Sequence, residues 1–107
     1  MNEVRLIGHL GDAPKMFAEE GKKKVAGCAV ATNKTYTDEA GSKVEKTEWH
    51  QLVFFGYHAE NACKWLEKGQ KVHISGEITY RKYLDKNGIE RTQAQIVVSG
   101  FEFFNKK

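Results

Sequence analysis

The chain has 107 residues, which is enough for one small domain and leaves no room for a second hydrophobic core. Hydrophobic residues make up 40% and charged residues 29%, so the composition is too apolar for a disordered chain, and no uncharged stretch approaches the ~20 apolar residues of a membrane-spanning helix. A net charge of +3 is too small to indicate a class of partner. We expect one soluble domain over residues 1–107, without an export signal. Its 2 cysteines show no motif spacing, which favours the reducing cytoplasm.

Five strands are predicted, over residues 3–10, 24–32, 47–55, 70–82 and 91–101, and the first, fourth and fifth show the apolar–polar alternation of half-buried strands. The second of them is rich in small residues such as Ala26 and Gly27, which predicts that another part of the chain packs closely against it. The polar stretch 33–46 predicts a long hairpin with its tip at residues 39–42, and residues 85–88 predict a second hairpin turn.

One helix is predicted over residues 58–68. Ala59, Ala62, Cys63 and Leu66 follow the i, i+3, i+4, i+7 spacing of a buried stripe, so Cys63 is expected to be a small buried group. Gly69 stands where a left-handed helix cap is expected. Trp65 falls outside the stripe, which favours a structural or interface role.

The resulting order, β-β-β-α-β-β, is that of the five-stranded Greek-key barrel called the OB-fold. We therefore predict an all-β protein, an OB-fold barrel with one helix between strands 3 and 4 and long hairpin loops. Such barrels bind oligonucleotides or oligosaccharides on the face of strands 2 and 3.

The strand over residues 47–55 carries bulky side chains on both of its faces. Trp49 and Phe55 lie on one parity, and Leu52 and Phe54 lie on the other. Because a small barrel has one core to fill, one of these sets faces a ligand or a second subunit. Two assignments stay open: either Leu52 and Phe54 fill the core, or Trp49 and Phe55 fill it and the other pair forms a subunit contact.

No pattern in the chain indicates catalysis or metal binding. The sequence contains no C-x-x-C, H-E-x-x-H or G-x-S-x-G motif, and its carboxylates are scattered. We expect a protein that is not an enzyme, with no catalytic residues, no metal and no cofactor. A small nucleic-acid enzyme stays a rival that a cleavage assay with Mg²⁺ would exclude.

Aromatic residues stand beside cations on faces that the core does not need. Tyr83 shares parity with Arg81, and Tyr36 is near Lys34. Unpaired nucleic acid offers stackable bases and a charged backbone, which aromatic rings interleaved with Lys and Arg would match. The sequence thus predicts binding of single-stranded nucleic acid, and stacking alone does not separate DNA from RNA.

From residue 2 to about residue 98 the chain resembles the bacterial-type single-stranded DNA-binding proteins. The resemblance is carried by N-x-V-x-L-I-G-x-L-G at 2–11, A-x-A-T at 29–32, K-T-E-W-H at 46–50, V-x-F-G at 53–56, L-x-K-G at 66–69, V-x-I-x-G at 72–76 and Y-R-K-Y at 80–83. It implies an OB-fold that binds single-stranded DNA without sequence preference during replication, recombination or repair. It also implies a homo-oligomer, usually a tetramer, with a dimer as the alternative, and a cytoplasmic location at the nucleoid.

The resemblance also implies roles for individual residues. The base-stacking rings of the family fall on Tyr36, Trp49, Phe55 and Tyr83, and at two of these positions, Tyr36 and Tyr83, the family commonly has tryptophan. The phosphate contacts fall on or near Lys34, Lys68, Arg81 and Lys82. His50 matches a position at the subunit contact, and its parity, opposite to that of Trp49, agrees; a surface strand histidine is the alternative.

Two departures from the family pattern affect these expectations. Glu3 stands where a basic residue is common, which removes one expected backbone contact. The chain also ends without the linker and acidic tail of the family, so recruitment of repair enzymes through that tail is doubtful. An alternative function is a dimeric OB-fold adaptor of the replication-restart primosome, which would show weak affinity for DNA.

Overall fold

The computed structural model describes residues 1–20 and 23–103. Its elements are β1 (Val4–Leu10), β2 (Lys15–Glu20), β3 (Lys23–Thr37), β4 (Lys43–Phe55), α1 (Tyr57–Trp65), β5 (Lys71–Leu84) and β6 (Glu90–Phe103). Within the described ranges, no helix has the length and apolar character that crossing a membrane requires.

Five of the strands close into a barrel. The neighbours run β1-β5-β6-β4-β3, and β1 returns to β3 through the pairs His9–Ala31 and Leu10–Val30. The β4–β6 pair is parallel and the others are antiparallel. The predicted barrel is therefore confirmed, with its helix between the third and fourth barrel strands. The short strand β2 was not predicted, and it pairs with the start of β3 outside the closed ring.

The barrel interior decides between the two assignments for β4. Leu52 and Phe54 are fully buried, and the Phe54 ring meets the Phe101 ring edge-on at 5.8 Å. Trp49 and Phe55 point outward and are exposed. Leu52 and Phe54 thus fill the core, and the outward rings of Trp49 and Phe55 are not part of it.

Helix α1 packs against the barrel through Ala59, Ala62 and the residue after its end, Leu66. The helix is shorter than predicted because Leu66 is extended (φ −93°, ψ 142°). Gly69 does not cap it. Instead Gly69 forms part of the following turn with φ 82°, where its N–H donates to the Leu10 carbonyl at 2.8 Å.

The prediction that Cys63 is buried was wrong. Its side chain is exposed, and the thiol donates to the Pro14 carbonyl at 3.8 Å. Ala59, Ala62 and Leu66 fill the stripe that faces the barrel, and Cys63 lies at the edge of that stripe. Cys28 on β3 is the cysteine that lies in the core.

The two thiols are expected to differ strongly in reactivity. Burial, with smaller contributions from Asp12 and Cys63, raises the pKa of Cys28 to about 12, so almost no thiolate forms near neutral pH. Brief alkylation of the native protein at about pH 8 should modify Cys63 and spare Cys28, and unfolding in denaturant should expose both, as read by mass spectrometry. Equal labelling of the two residues in the native protein would contradict the burial of Cys28.

Both predicted hairpins are present, and they extend as two-stranded ribbons that we call the β3–β4 arm (residues 33–47) and the β5–β6 arm (residues 79–94). At the first tip, the Asp38 carboxylate accepts hydrogen bonds from the N–H groups of Ala40 and Ser42.

The tip of the β5–β6 arm is organised by Asp85. Its carboxylate accepts a hydrogen bond from Arg91 Nε at 3.0 Å and another from the Ile89 N–H. These hydrogen bonds lower the pKa of Asp85, and the bond from Arg91 makes the largest contribution. The tip thereby sets the register of the arm that carries Arg81 and Tyr83.

Candidate nucleic-acid interface

The outward face of β4 presents two open aromatic rings. Trp49 is 62% exposed and Phe55 is 47% exposed. They share a face because they are six residues apart, which is about 20 Å along an extended strand. Gln51 and Val53, half-buried, lie between them.

The Trp49 ring lies directly on the backbone of Gly11. A Cβ added at Gly11 would come within 2.4 Å of the Trp49 ring atom Cζ3. The Gly11 N–H donates to the Ala29 carbonyl at 2.9 Å, which holds this loop against β3. One side of the indole is therefore supported, and the exposed remainder is available to a stacking partner.

Substitution of Gly11 with alanine is expected to displace the Trp49 ring and weaken binding of oligo-dT by ~1 kcal/mol, the low end of the value for one stacked base. Fluorescence anisotropy of a labelled oligonucleotide measures this affinity. In a double-mutant cycle, Gly11→Ala should have no further effect once Trp49 is alanine. An equal loss in both backgrounds would show that Gly11 acts by another route.

Phe17 is a functional candidate that the sequence analysis missed. It is the extra residue at a β-bulge in β2, between the paired residues Met16 and Ala18, and it is 66% exposed. A Cβ added at Gly27 would lie 2.5 Å from its ring. Bulges commonly redirect a side chain, and here the ring lies beside the groove next to β4. The small residues of β3, which predicted close packing, were the available signal.

A groove of about 540 Å³ runs along this outward face. Its walls combine aromatic and apolar groups with glutamine amides and one guanidinium. The lining residues are Phe17, Val25, Gln51, Val53, Phe55, Arg81, Gln93 and Gln95.

The β5–β6 arm brings a cation and a third ring to the same face. Arg81 lines the groove with Phe55, and its guanidinium carbon lies 5.8 Å from the centre of the Tyr83 ring. Arg81 and Tyr83 lie on the same outward face of β5. Their partners on β6 are Gln93 and Arg91. The structure thus gathers four predicted residues on one face, namely Trp49, Phe55, Arg81 and Tyr83.

The other four predicted contacts do not lie on this face. The register pairs Ala31 with Trp49, and Tyr36 follows Ala31 by five residues, so strand alternation assigns Tyr36 to the opposite face of the β3–β4 arm. Lys34 shares the parity of Tyr36. Lys82 alternates with Arg81 and is likewise on the opposite face of its arm, and Lys68 lies in the turn after α1.

His50 lies where β3 and β4 leave the barrel, on the side opposite to Trp49. It is half-buried, and its Nε2 is 2.8 Å from the Thr32 hydroxyl. Within residues 1–20 and 23–103, no three His, Cys, Asp or Glu side chains gather in a way that could hold a metal ion.

Solved structures similar to this chain include DNA-binding barrels. The chain matches a Plasmodium falciparum SSB solved in complex with ssDNA, with a TM-score of 0.88, 28% identity, and coverage of 98% of this chain and 96% of that chain. It also matches a deletion mutant of the single-stranded DNA binding protein from Thermus aquaticus, with a TM-score of 0.82, 28% identity, and coverage of 98% and 51%. These matches confirm the OB-fold.

Relatives by sequence agree with the structural matches. The single-stranded DNA-binding proteins of Neisseria meningitidis serogroups A and B are each 41% identical to the chain over 99 residues, which are 92% of this chain. The chain spans 57% of the length of these curated relatives. The model of the single-strand binding protein family matches residues 1–104. The chain belongs to the single-strand binding protein family, as its motifs indicated.

Proposed function

We propose that this protein binds single-stranded DNA with little sequence preference and without catalysing a reaction on it. The observation that carries the proposal is the outward face of β4, where the Trp49 and Phe55 rings are open to solvent although the core is already filled. The similar proteins of Neisseria carry this activity in their names, and the Plasmodium protein was solved with ssDNA.

The chemistry of the groove matches an unpaired strand. Each open ring offers a flat apolar surface on which any base can stack, with a contribution of ~1–3 kcal/mol per base. Arg81, beside Tyr83, can neutralise a phosphate and stack through its planar guanidinium. The glutamine amides on the groove walls both donate and accept hydrogen bonds, so they suit any base edge and select none.

The four remaining predicted residues fit a strand that passes around the arms. Tyr36 and Lys34 are exposed on the opposite face of the β3–β4 arm, and Lys82 is exposed on the opposite face of the β5–β6 arm. Each ribbon is narrow, so a strand leaving the groove can cross its edge. Lys34, Lys68 and Lys82 would then contact phosphates, and Tyr36 would stack on a base.

We further propose that the protein assembles as a homotetramer with His50 at a subunit contact. A contact on the Thr32–His50 side leaves the Trp49 face open, since the two lie on opposite sides of β4. The assembly would protect exposed DNA in replication, recombination and repair, in the cytoplasm at the nucleoid.

The proposal is tested by titrating the protein with oligo-dT while recording tryptophan emission. Binding should quench the emission. A plot of the logarithm of the binding constant against the logarithm of the salt concentration should have a slope of about −0.7 for each phosphate engaged. Light scattering on the same samples counts the subunits. Unchanged emission with no change in mass on adding the oligonucleotide would refute DNA binding. A dimer with feeble affinity would favour the restart adaptor.

A further inference from the structure

A second aromatic surface lies on α1, outside the groove described above. Tyr57 is 67% exposed and Trp65 is 52% exposed. They are eight residues apart, with Asn61 midway, so all three lie along one side of the helix. Together with His58 and the β6 residues Gly100 and Phe101 they line a cleft of about 340 Å³, which we call the α1 groove.

Each of the two aromatic rings of the α1 groove has one side-chain neighbour. The His58 ring lies 4.4 Å from the Tyr57 ring, centre to centre, with 31° between their planes. Lys64 Nζ lies 5.2 Å from the centre of the Trp65 ring. This ammonium group places a positive charge beside an open ring, and the helix's own carboxylate, Glu60, is ion-paired with Lys24. Rings with an adjacent cation suit a base and its phosphate.

The floor of the α1 groove is open and firmly held. A Cβ built on Gly100 would meet no heavy atom within 4 Å. The neighbouring residue, Phe101, is anchored edge-on against the buried ring of Phe54. A flat group can therefore enter between Tyr57 and Trp65 without displacing the core.

The α1 groove continues the proposed DNA path. Phe55 ends β4 and Tyr57 begins α1, with Gly56 alone between them in the chain. The parallel register that sets Val53 beside Val97 brings the ends of β4 and β6 to the same end of the barrel. Phe55 and the α1 groove therefore lie at the same end of the barrel, joined by a single residue of the chain.

From this continuity and charge we propose that the α1 groove binds bases of single-stranded DNA that extends beyond Phe55. The inference rests on the proposed function and lengthens its binding site. A short oligonucleotide would be held by the β4 face alone, and a longer one would also engage Tyr57 and Trp65.

The chain's 2 tryptophans allow the two surfaces to be observed separately. Trp65→Phe leaves Trp49 as the reporter, and Trp49→Phe leaves Trp65. Oligo-dT of about 6 nucleotides should quench Trp49 and leave Trp65 unchanged, whereas oligo-dT of about 30 nucleotides should quench both. Quenching of Trp49 with no change at Trp65 under the long oligonucleotide overturns this inference alone. If neither reporter responds and no binding is detected, the proposed function itself fails.

Affinity provides a second readout that does not depend on fluorescence. Tyr57→Ala should weaken binding of the long oligonucleotide about fivefold or more and should leave binding of the short one unchanged. The control, Tyr57→Phe, keeps the ring and should bind both oligonucleotides as the parent does. Gly100→Glu adds a negative charge in open space and should also weaken only the long oligonucleotide. Parent-like affinity for the long oligonucleotide in both Tyr57→Ala and Gly100→Glu would refute the inference.

Discussion

Replacing Trp49 with alanine is expected to weaken binding of oligo-dT by ~1–3 kcal/mol, which is about fivefold to more than a hundredfold. The indole is the largest open ring on the β4 face, and its support by the Gly11 backbone means that it is already oriented before the strand arrives. Because the ring is already oriented, less side-chain conformational entropy is lost when a base stacks on it. The free energy of unfolding should change little because most of the ring is in water in the folded protein.

Anisotropy of a labelled oligo-dT measures the affinity, since the substitution removes the tryptophan signal from this face. Trp49→Phe is the matched control, because it keeps a smaller ring and should lose part of the affinity. Urea unfolding of each variant checks the fold. An alanine variant that binds as tightly as the parent would mean that bases do not stack on Trp49.

Replacing Phe54 with alanine is expected to lower the free energy of unfolding by ~3–5 kcal/mol. The ring is fully buried and packs edge-on against Phe101, so its removal leaves a cavity at the centre of the barrel. Domains of this size have a total stability of about 5–15 kcal/mol. The variant should therefore be close to unfolding, with a much lower urea midpoint than the parent.

The adjacent residue supplies the matched control. Phe55 points to the opposite side of β4 and is 47% exposed, so Phe55→Ala should lose less than half the stability that Phe54→Ala loses. Its main effect should instead be weaker binding of oligo-dT. Equal losses of stability in the two variants would show that Phe55 belongs to the core and would remove it from the binding face.

The barrel itself could be predicted because its core imposes a period of two on each strand. In β4, Leu52 and Phe54 alternate with Val53 and Phe55, and that pattern alone required two different surfaces. The pattern did not indicate which surface is the interior. That choice depends on how β4 pairs with β3 and β6, which is a property of the closed barrel.

The strand β2 could not be predicted from its own residues. K-M-F-A-E-E lacks a regular alternation, and its pairing with β3 is interrupted by the bulge at Phe17. It is a strand because the exposed edge of β3 offers hydrogen-bonding partners, a tertiary cause that local sequence does not record. Because β2 was not predicted, Phe17 was absent from the predicted site.

The position of Tyr36 was undetermined for a related reason. The predicted strand ended at residue 32, whereas β3 runs unbroken to Thr37. The face of a strand residue can be counted only while the strand continues, so the sequence did not tell whether Tyr36 and Trp49 share a side. The helical period similarly did not show that Cys63 lies at the edge of the stripe that meets the barrel.

The most direct measurement of the binding mode is the structure of this protein with oligo-dT. The expected result is one base stacked on the open side of Trp49 and another against Phe55, with a phosphate beside the Arg81 guanidinium. A complex in which the strand lies elsewhere, with both rings still exposed to solvent, would contradict the assignment of the outward face of β4 as the DNA-binding surface.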